Sequence, residues 1–156
     1  MISLLRTDSA HPDFITLVKM LDADLAVRDG EDTIFYASLN KTDAIRHVIV
    51  AYVNEQPVGC GAIREFDAGT MEVKRMFTLP ATRGKGVATR VLNELQNWSK
   101  ELGYEKCILE TGKRQPEAIA LYLKNGFVII PNYGKYVGIE NSVCFEKVLK
   151  KENAVS

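Results

Sequence analysis

Cysteine is scarce in this chain and does not come in pairs. Cys60, Cys107 and Cys144 are the only three, widely spaced and without a Cys-x-x-Cys step, and the two histidines, His11 and His47, have no metal-ligand spacing. That excludes a disulfide framework and a zinc site, and leaves three thiols among apolar, strand-like neighbours, where burial as free cysteines is expected. An excess of one charge is missing too. Lysine plus arginine and aspartate plus glutamate number 20 each, so the basic surplus that marks nucleic-acid or anionic-membrane partners is absent. No apolar run approaches membrane-spanning length, and Met1 to Arg6 has no basic flank leading into a long apolar stretch, so the expected location is the cytoplasm. Repeats, low-complexity tracts and Pro/Gly/Ser linkers are also lacking. One domain over residues 1–149 with a polar tail at 150–156 is therefore expected, with enough apolar content, 46%, to bury its own core.

What is present alternates between two periods. Phe14, Leu17, Val18, Leu21 and Leu25 recur at helical spacing behind Pro12, and a second, shorter helical stretch is expected from Thr33 to Asn40. His47 to Tyr52 and Val58 to Arg64 read as a hairpin around the turn Asn54-Glu55-Gln56-Pro57, and Thr70 to Thr78 as the next strand. Val87, Ala88, Val91, Leu92, Leu95, Trp98 and Leu102 then form a long helical stripe that stops at Gly103. Lys106 to Glu110 reads as a strand, Pro116 to Asn125 as a helix ended by Gly126, and Phe127 to Ile130 and Ser142 to Val148 as two more strands.

Arg83-Gly84-Lys85-Gly86-Val87-Ala88-Thr89 lies where a strand gives way to the long helix, and the first backbone N–H groups of a helix have no internal acceptor. Glycines at 84 and 86 let the backbone approach an anion closely, the helix dipole adds partial positive charge, and Arg83 and Lys85 supply charged donors. A pyrophosphate-bearing cofactor suits such an end, although an ordinary tight connection looks the same when taken alone. The segment lacks the terminal Lys-Ser/Thr of a Walker loop and the Gly-x-Gly-x-x-Gly of a dinucleotide fold, so neither ATP nor NAD is favoured.

With the downstream residues added, the chain resembles the GNAT superfamily of N-acetyltransferases. The signature Arg/Gln-x-x-Gly-x-Gly/Ala after the fourth strand is met by Arg83, Gly86 and Ala88. The later pattern Asn-x-x-Ala-x-x-Leu-Tyr-x-x-x-Gly-Phe is met from Gln115 through Ala118, Leu121 and Tyr122 to Gly126-Phe127, with Gln115 standing where Asn is usual. The resemblance implies an α/β (α+β) fold with a mixed, mostly antiparallel central sheet of about six to seven strands flanked by about four helices. It implies acetyl-CoA as cosubstrate and no metal. The pantetheine arm would pair with Met76, Phe77 and Thr78 between splayed fourth and fifth strands, and the phosphates would sit on Arg83, Gly84, Lys85, Gly86, Val87, Ala88 and Thr89, with Gln115 as a further cofactor contact.

An alkylammonium with a pKa of about 10 cannot attack a thioester until it loses a proton, so a base is needed. Glu72, six residues before Thr78, stands at the offset where some GNAT branches carry their catalytic Glu, and Glu110 at the end of the next strand competes for the role. Tyr122 matches the family tyrosine that protonates the departing thiolate. Glu72-Val73-Lys74-Arg75 puts three charges into a strand expected to be covered, with the solvated face of an edge strand as the plain reading of Lys74 and Arg75. The acceptor end is less defined. Asp22, Asp24, Arg28, Asp29, Glu31 and Asp32 form one charged cluster, and Pro131-Asn132-Tyr133-Gly134-Lys135-Tyr136 forms an aromatic and basic loop able to cover a small acceptor. The expected activity is transfer to a primary amine, with a small molecule or amino acid favoured over protein. A non-catalytic acyl-CoA sensor is the alternative, and a homodimer stays open.

Overall fold

A computed structural model describes residues 1–29 and 44–149. Seven strands, β1 (Ile2–Thr7), β2 (His47–Val53), β3 (Gln56–Asp67), β4 (Thr70–Thr78), β5 (Lys106–Gly112), β6 (Val128–Ile130) and β7 (Ser142–Val148), form one sheet in the order β1-β2-β3-β4-β5-β7-β6. All neighbours run antiparallel except β4 and β5. Three α-helices, α1 (Pro12–Asp29), α2 (Val87–Glu101) and α3 (Pro116–Lys124), appear among the described residues, against the four expected. The stretch from Thr33 to Asn40 lies outside those residues. The mixed α/β class and the mostly antiparallel sheet are as the sequence implies, and none of the described helices is long and apolar enough to cross a membrane.

Strand periodicity divides the core. Val48, Val50, Cys60, Ala62 and Phe77 meet Phe14, Leu17 and Leu21 of α1 on one face of the sheet. The intervening Ile49, Ala51, Ile63, Met71 and Val73 face the other way, onto Val87, Val91, Leu92 and Leu95 of α2, because successive side chains of a strand point to opposite faces. The three cysteines are buried and free, as expected. The hairpin turn is shorter than expected. Only Asn54 and Glu55 lie outside the strands, both left-handed at φ 50 and 67, which matches the two-residue turns that follow strand twist. Pro57 is accommodated inside β3 because the ladder slips its register between Ala51 and Tyr52, where a missing N–H costs little.

Two features of β3 and β4 build the cleft. β4 pairs with β5 from Thr70 to Glu72, against Lys106 to Ile108, and among the described residues no strand lies beside the remainder of that β4 edge. The divergence follows a bulge: Cys60 pairs with Phe77 and Ala62 with Lys74, so β4 carries one extra residue, and Arg75 takes φ 58 to absorb it. An inserted residue bends its strand and re-aims the side chains around it. Arg75 is thereby turned onto α1, where its guanidinium lies 2.6 Å from Asp22.

Glycines in β3 seat α2 at the mouth of this cleft. A Cβ on Gly59 would stand 2.8 Å from Val87 Cγ1 and 3.0 Å from the Phe77 carbonyl oxygen. Gly59→Ala is therefore expected to destabilise the fold by about 1–3 kcal/mol through overpacking. A urea titration should show a lower midpoint with an unchanged slope; an unchanged midpoint would mean that α2 is free to shift outward.

Candidate active site

α2 begins at Gly86, which caps it in the left-handed conformation at φ 84, and Gly84 has φ 82. A Cβ at either position would meet no protein atom within 4 Å, so the space above both glycines is kept clear by the fold rather than filled by it. Gly86 as the cap residue offers the first turn no side-chain hydrogen bond, and the N–H groups of that turn open toward that space. Arg83 folds back, and its Nε donates to the Thr78 carbonyl at 3.2 Å, which fixes the loop to the end of β4.

A cavity of about 330 Å³ runs from this turn along β4 to α3. Met76, Phe77, Thr78, Arg83, Gly84, Gly86, Val87, Ala88, Thr89, Gln115 and Tyr122 line it, which brings together nearly all the residues the sequence singled out for the cofactor. Lys85 is the exception, exposed on the loop and outside the lining. The unpaired β4 edge, the open glycine turn and the uncapped helix start are the features that a pantetheine arm and a pyrophosphate require. Gln115 caps α3 through its backbone alone, with its side chain engaged in no capping bond, so the amide is available to the cavity.

A second, smaller chamber of about 100 Å³ adjoins the first and shares Leu21, Met76, Gln115, Ala118 and Tyr122 with it. Its remaining wall carries Glu72, Lys74, Arg75, Glu110 and Tyr136. Glu72 is 6% exposed, and its Oε2 accepts a hydrogen bond from the Tyr133 hydroxyl at 2.7 Å. Its Oε1 lies 3.7 Å from Lys74 Nζ and 3.8 Å from Arg64. Glu110 accepts from the Ser142 hydroxyl at 2.7 Å. Both candidate bases thus face one chamber.

Tyr122 stands at the junction of the two cavities. Its ring packs against Phe127 and Phe145 with centroids 5.9 and 5.6 Å away, and among the described residues its hydroxyl has no hydrogen-bond partner. Burial, with Glu110 adding to it, pushes its pKa up, so the phenol holds its proton at neutral pH. Burial and the carboxylate of Glu72 raise Tyr133 in the same way, and burial followed by Glu110 and Glu72 raises Tyr136. Lys74 moves in the opposite direction: burial lowers its pKa, and Glu72 opposes the shift only in part.

The plain reading of Lys74 and Arg75 as a solvated edge does not hold, since their side chains are 5% and 6% exposed. β4 is an interior strand covered by the α1 side of the molecule, so its charges sit inside the cleft. Arg64 escaped sequence reasoning altogether. Its signal was register: Arg64 stands directly across from Glu72 in the β3–β4 ladder, and opposite charges at such positions attract. The loop at 131–136 does lie over the chamber, held by Tyr133 against Phe66 and Tyr136, with ring centroids 5.2 and 5.6 Å away. Of the acidic cluster near the end of α1, Asp22 pairs with Arg75 and Asp24 lines the larger cavity. Glu31 and Asp32 lie outside the described residues.

Among the described residues no group of three or more His, Cys, Asp or Glu side chains is arranged to hold a metal ion. Residues 15–127 match the Acetyltransferase (GNAT) family. The chain is 32% identical over 152 residues to an IAA acetyltransferase of Azospirillum brasilense, an alignment covering 95% of this chain and 98% of the relative. In structure it is similar to a candidate acyl-CoA N-acyltransferase of Klebsiella pneumoniae, with a TM-score of 0.80 and 26% identity, over 96% of this chain and 99% of that one. A GNAT family acetyltransferase of Elizabethkingia anophelis, solved with acetyl-CoA bound, shares the fold at a TM-score of 0.66 and 17% identity, over 95% and 98% of the two chains.

Proposed function

The chain belongs to the GNAT acetyltransferase family, and from that membership and its two-chambered cleft we infer that it is an acetyl-CoA-dependent N-acetyltransferase acting on the primary amine of a small molecule. The observation that carries this reading is the meeting of the two cavities at Tyr122, with an anion-binding helix end on one side and two carboxylates on the other. The whole of residues 1–149 serves as one catalytic domain in this reading.

Bound acetyl-CoA supplies an activated acyl group as its thioester. The residues of the chain do the rest. The first-turn N–H groups of α2, with Gly84 and Gly86 clearing the approach, hold the pyrophosphate, and the open β4 edge at Met76, Phe77 and Thr78 aligns the arm. Glu72 takes a proton from the acceptor ammonium, directly or through a water, so that the free amine faces the junction. Tyr122, kept protonated by burial, holds a proton where the sulfur departs. A thiolate leaving into the same desolvated space has its own pKa raised by the same cause, which narrows the gap between the two acids.

Incubation with acetyl-CoA and a panel of amino acids, diamines, aminoglycosides and peptides, read as release of free CoA thiol, tests the activity. The panel also includes IAA, the compound in the name of the Azospirillum relative. Thiol release with at least one amine is expected. Thermal stabilisation by CoA without release across the panel would instead favour an acyl-CoA sensor.

Glu72→Gln is expected to lower turnover at neutral pH by about 10²-fold, with part of the loss returning as pH rises and more of the amine is free without help. Affinity for acetyl-CoA should change little, because Glu72 lines only the smaller chamber. A pH–rate profile identical to wild type would transfer the base role to Glu110, and the same profile measured on Glu110→Gln identifies which carboxylate titrates.

A further inference from the structure

Lys74 is the least explained group in the cleft. Its side chain is 5% exposed, yet among the described residues the ammonium makes a single hydrogen bond, a long one of 3.5 Å to the Tyr136 hydroxyl. Glu72 is 3.7 Å away, an ion-pair distance beyond hydrogen-bond reach. A buried ammonium with three donors and one long bond is expensive unless something else completes its shell. Lys74 lines the smaller chamber, where that missing partner would have to sit.

The surrounding charges say which sign it has. Glu72 is already engaged by Tyr133, Arg64 and Lys74, and Glu110 accepts from Ser142. At 3.7 and 3.8 Å the one carboxylate of Glu72 faces two cations, Lys74 and Arg64, while Arg75 is matched by Asp22. That triad carries one positive charge in excess. An acceptor that carries a carboxylate brings a negative group to this triad, and the proton its ammonium gives up passes to Glu72. A diamine or a neutral amine leaves the excess in place.

We propose that Lys74 is the carboxylate-binding residue of the acceptor site, and that the acceptor is a small amino acid. The proposal rests on the N-acetyltransferase reading for its substrate but not for its test. The carboxylate docks on Lys74 Nζ and the Tyr136 hydroxyl, and the amine then lies toward the junction at Met76 and Tyr122. The chamber of about 100 Å³ suits a molecule of that size.

Titration calorimetry on the CoA-loaded protein tests the site without turnover, using N-acetyl derivatives of glycine, alanine, serine and glutamate, each beside its C-terminal amide. At least one acid is expected to bind about tenfold or more tighter than its amide, the effect of a charge-assisted hydrogen bond. In Lys74→Met and Lys74→Gln that ratio should fall to within about twofold, with CoA affinity and melting temperature reported alongside to show that both variants fold. Equal binding of acids and amides, no binding of any acid, a preference that survives in both variants, or tighter binding of an N-acetyl diamine each overturns the proposal. If acids bind as expected but no amine releases thiol from acetyl-CoA, the carboxylate site stands and the transferase reading falls.

Discussion

Gly86→Glu is expected to remove measurable acetyl-CoA binding while leaving most of the fold in place. Gly86 caps α2 at φ 84, so any other residue there pays left-handed strain, on the order of 1–2 kcal/mol. That is a tolerable loss for a domain of this size. The larger effect is electrostatic. A Cβ at Gly86 meets no protein atom within 4 Å, so a glutamate there is free to extend into the space over the uncapped first turn, where its carboxylate competes for the N–H groups and repels a pyrophosphate. Calorimetry should record a loss of affinity of about 10²-fold or more. Gly86→Asn separates the two causes, since asparagine tolerates the left-handed conformation and carries no charge. It should retain most of the affinity that Gly86→Glu loses. Unchanged binding in Gly86→Glu would remove the phosphates from this turn.

The cofactor half of the cleft was legible because local rules fix it. Glycines at 84 and 86, a charged residue on each side of Gly84 and a helical stripe starting at Val87 specify a turn and a helix end without knowledge of any distant contact. The acceptor half was not, because distant pairs build it. Glu72 and Tyr133 are far apart in sequence, and their hydrogen bond depends on how the loop after β6 folds over the sheet. The position of Arg64 depends on the β3–β4 register, and that register contains a bulge at Arg75 which no period-2 reading reveals. The same bulge explains why a solvated edge stayed open as a reading of Lys74 and Arg75, whose charges suggest solvent until the splay of β4 from β5 shows a covered cleft. Where the sequence pattern did bear on long-range structure, as in the alternation of Val48 and Val50 with Ile49 and Ala51, it did so because burial on both faces of β2 repeats a local rule.

Tyr122→Phe is expected to lower kcat by about 10² to 10⁴-fold, the range typical for loss of a positioned general acid, with acetyl-CoA affinity nearly unchanged. The ring of Tyr122 makes the structural contribution, through an edge contact with Phe127 and a tilted one with Phe145, and phenylalanine keeps it. The hydroxyl has no hydrogen-bond partner among the described residues, so its removal leaves no buried group unsatisfied and should shift stability by less than about 1 kcal/mol. A large kinetic effect beside a negligible change in the denaturation midpoint therefore identifies a chemical role, since a packing role predicts the reverse. Burial keeps the phenol protonated across the neutral range, so the loss should not vary with pH between about 6 and 8, unlike that of Glu72→Gln. Product release can hide a slowed chemical step in steady-state data, so single-turnover rates decide the matter. A single-turnover rate equal to wild type would leave the proton of the departing sulfur to be supplied by water, and Tyr122 as a wall of the cleft.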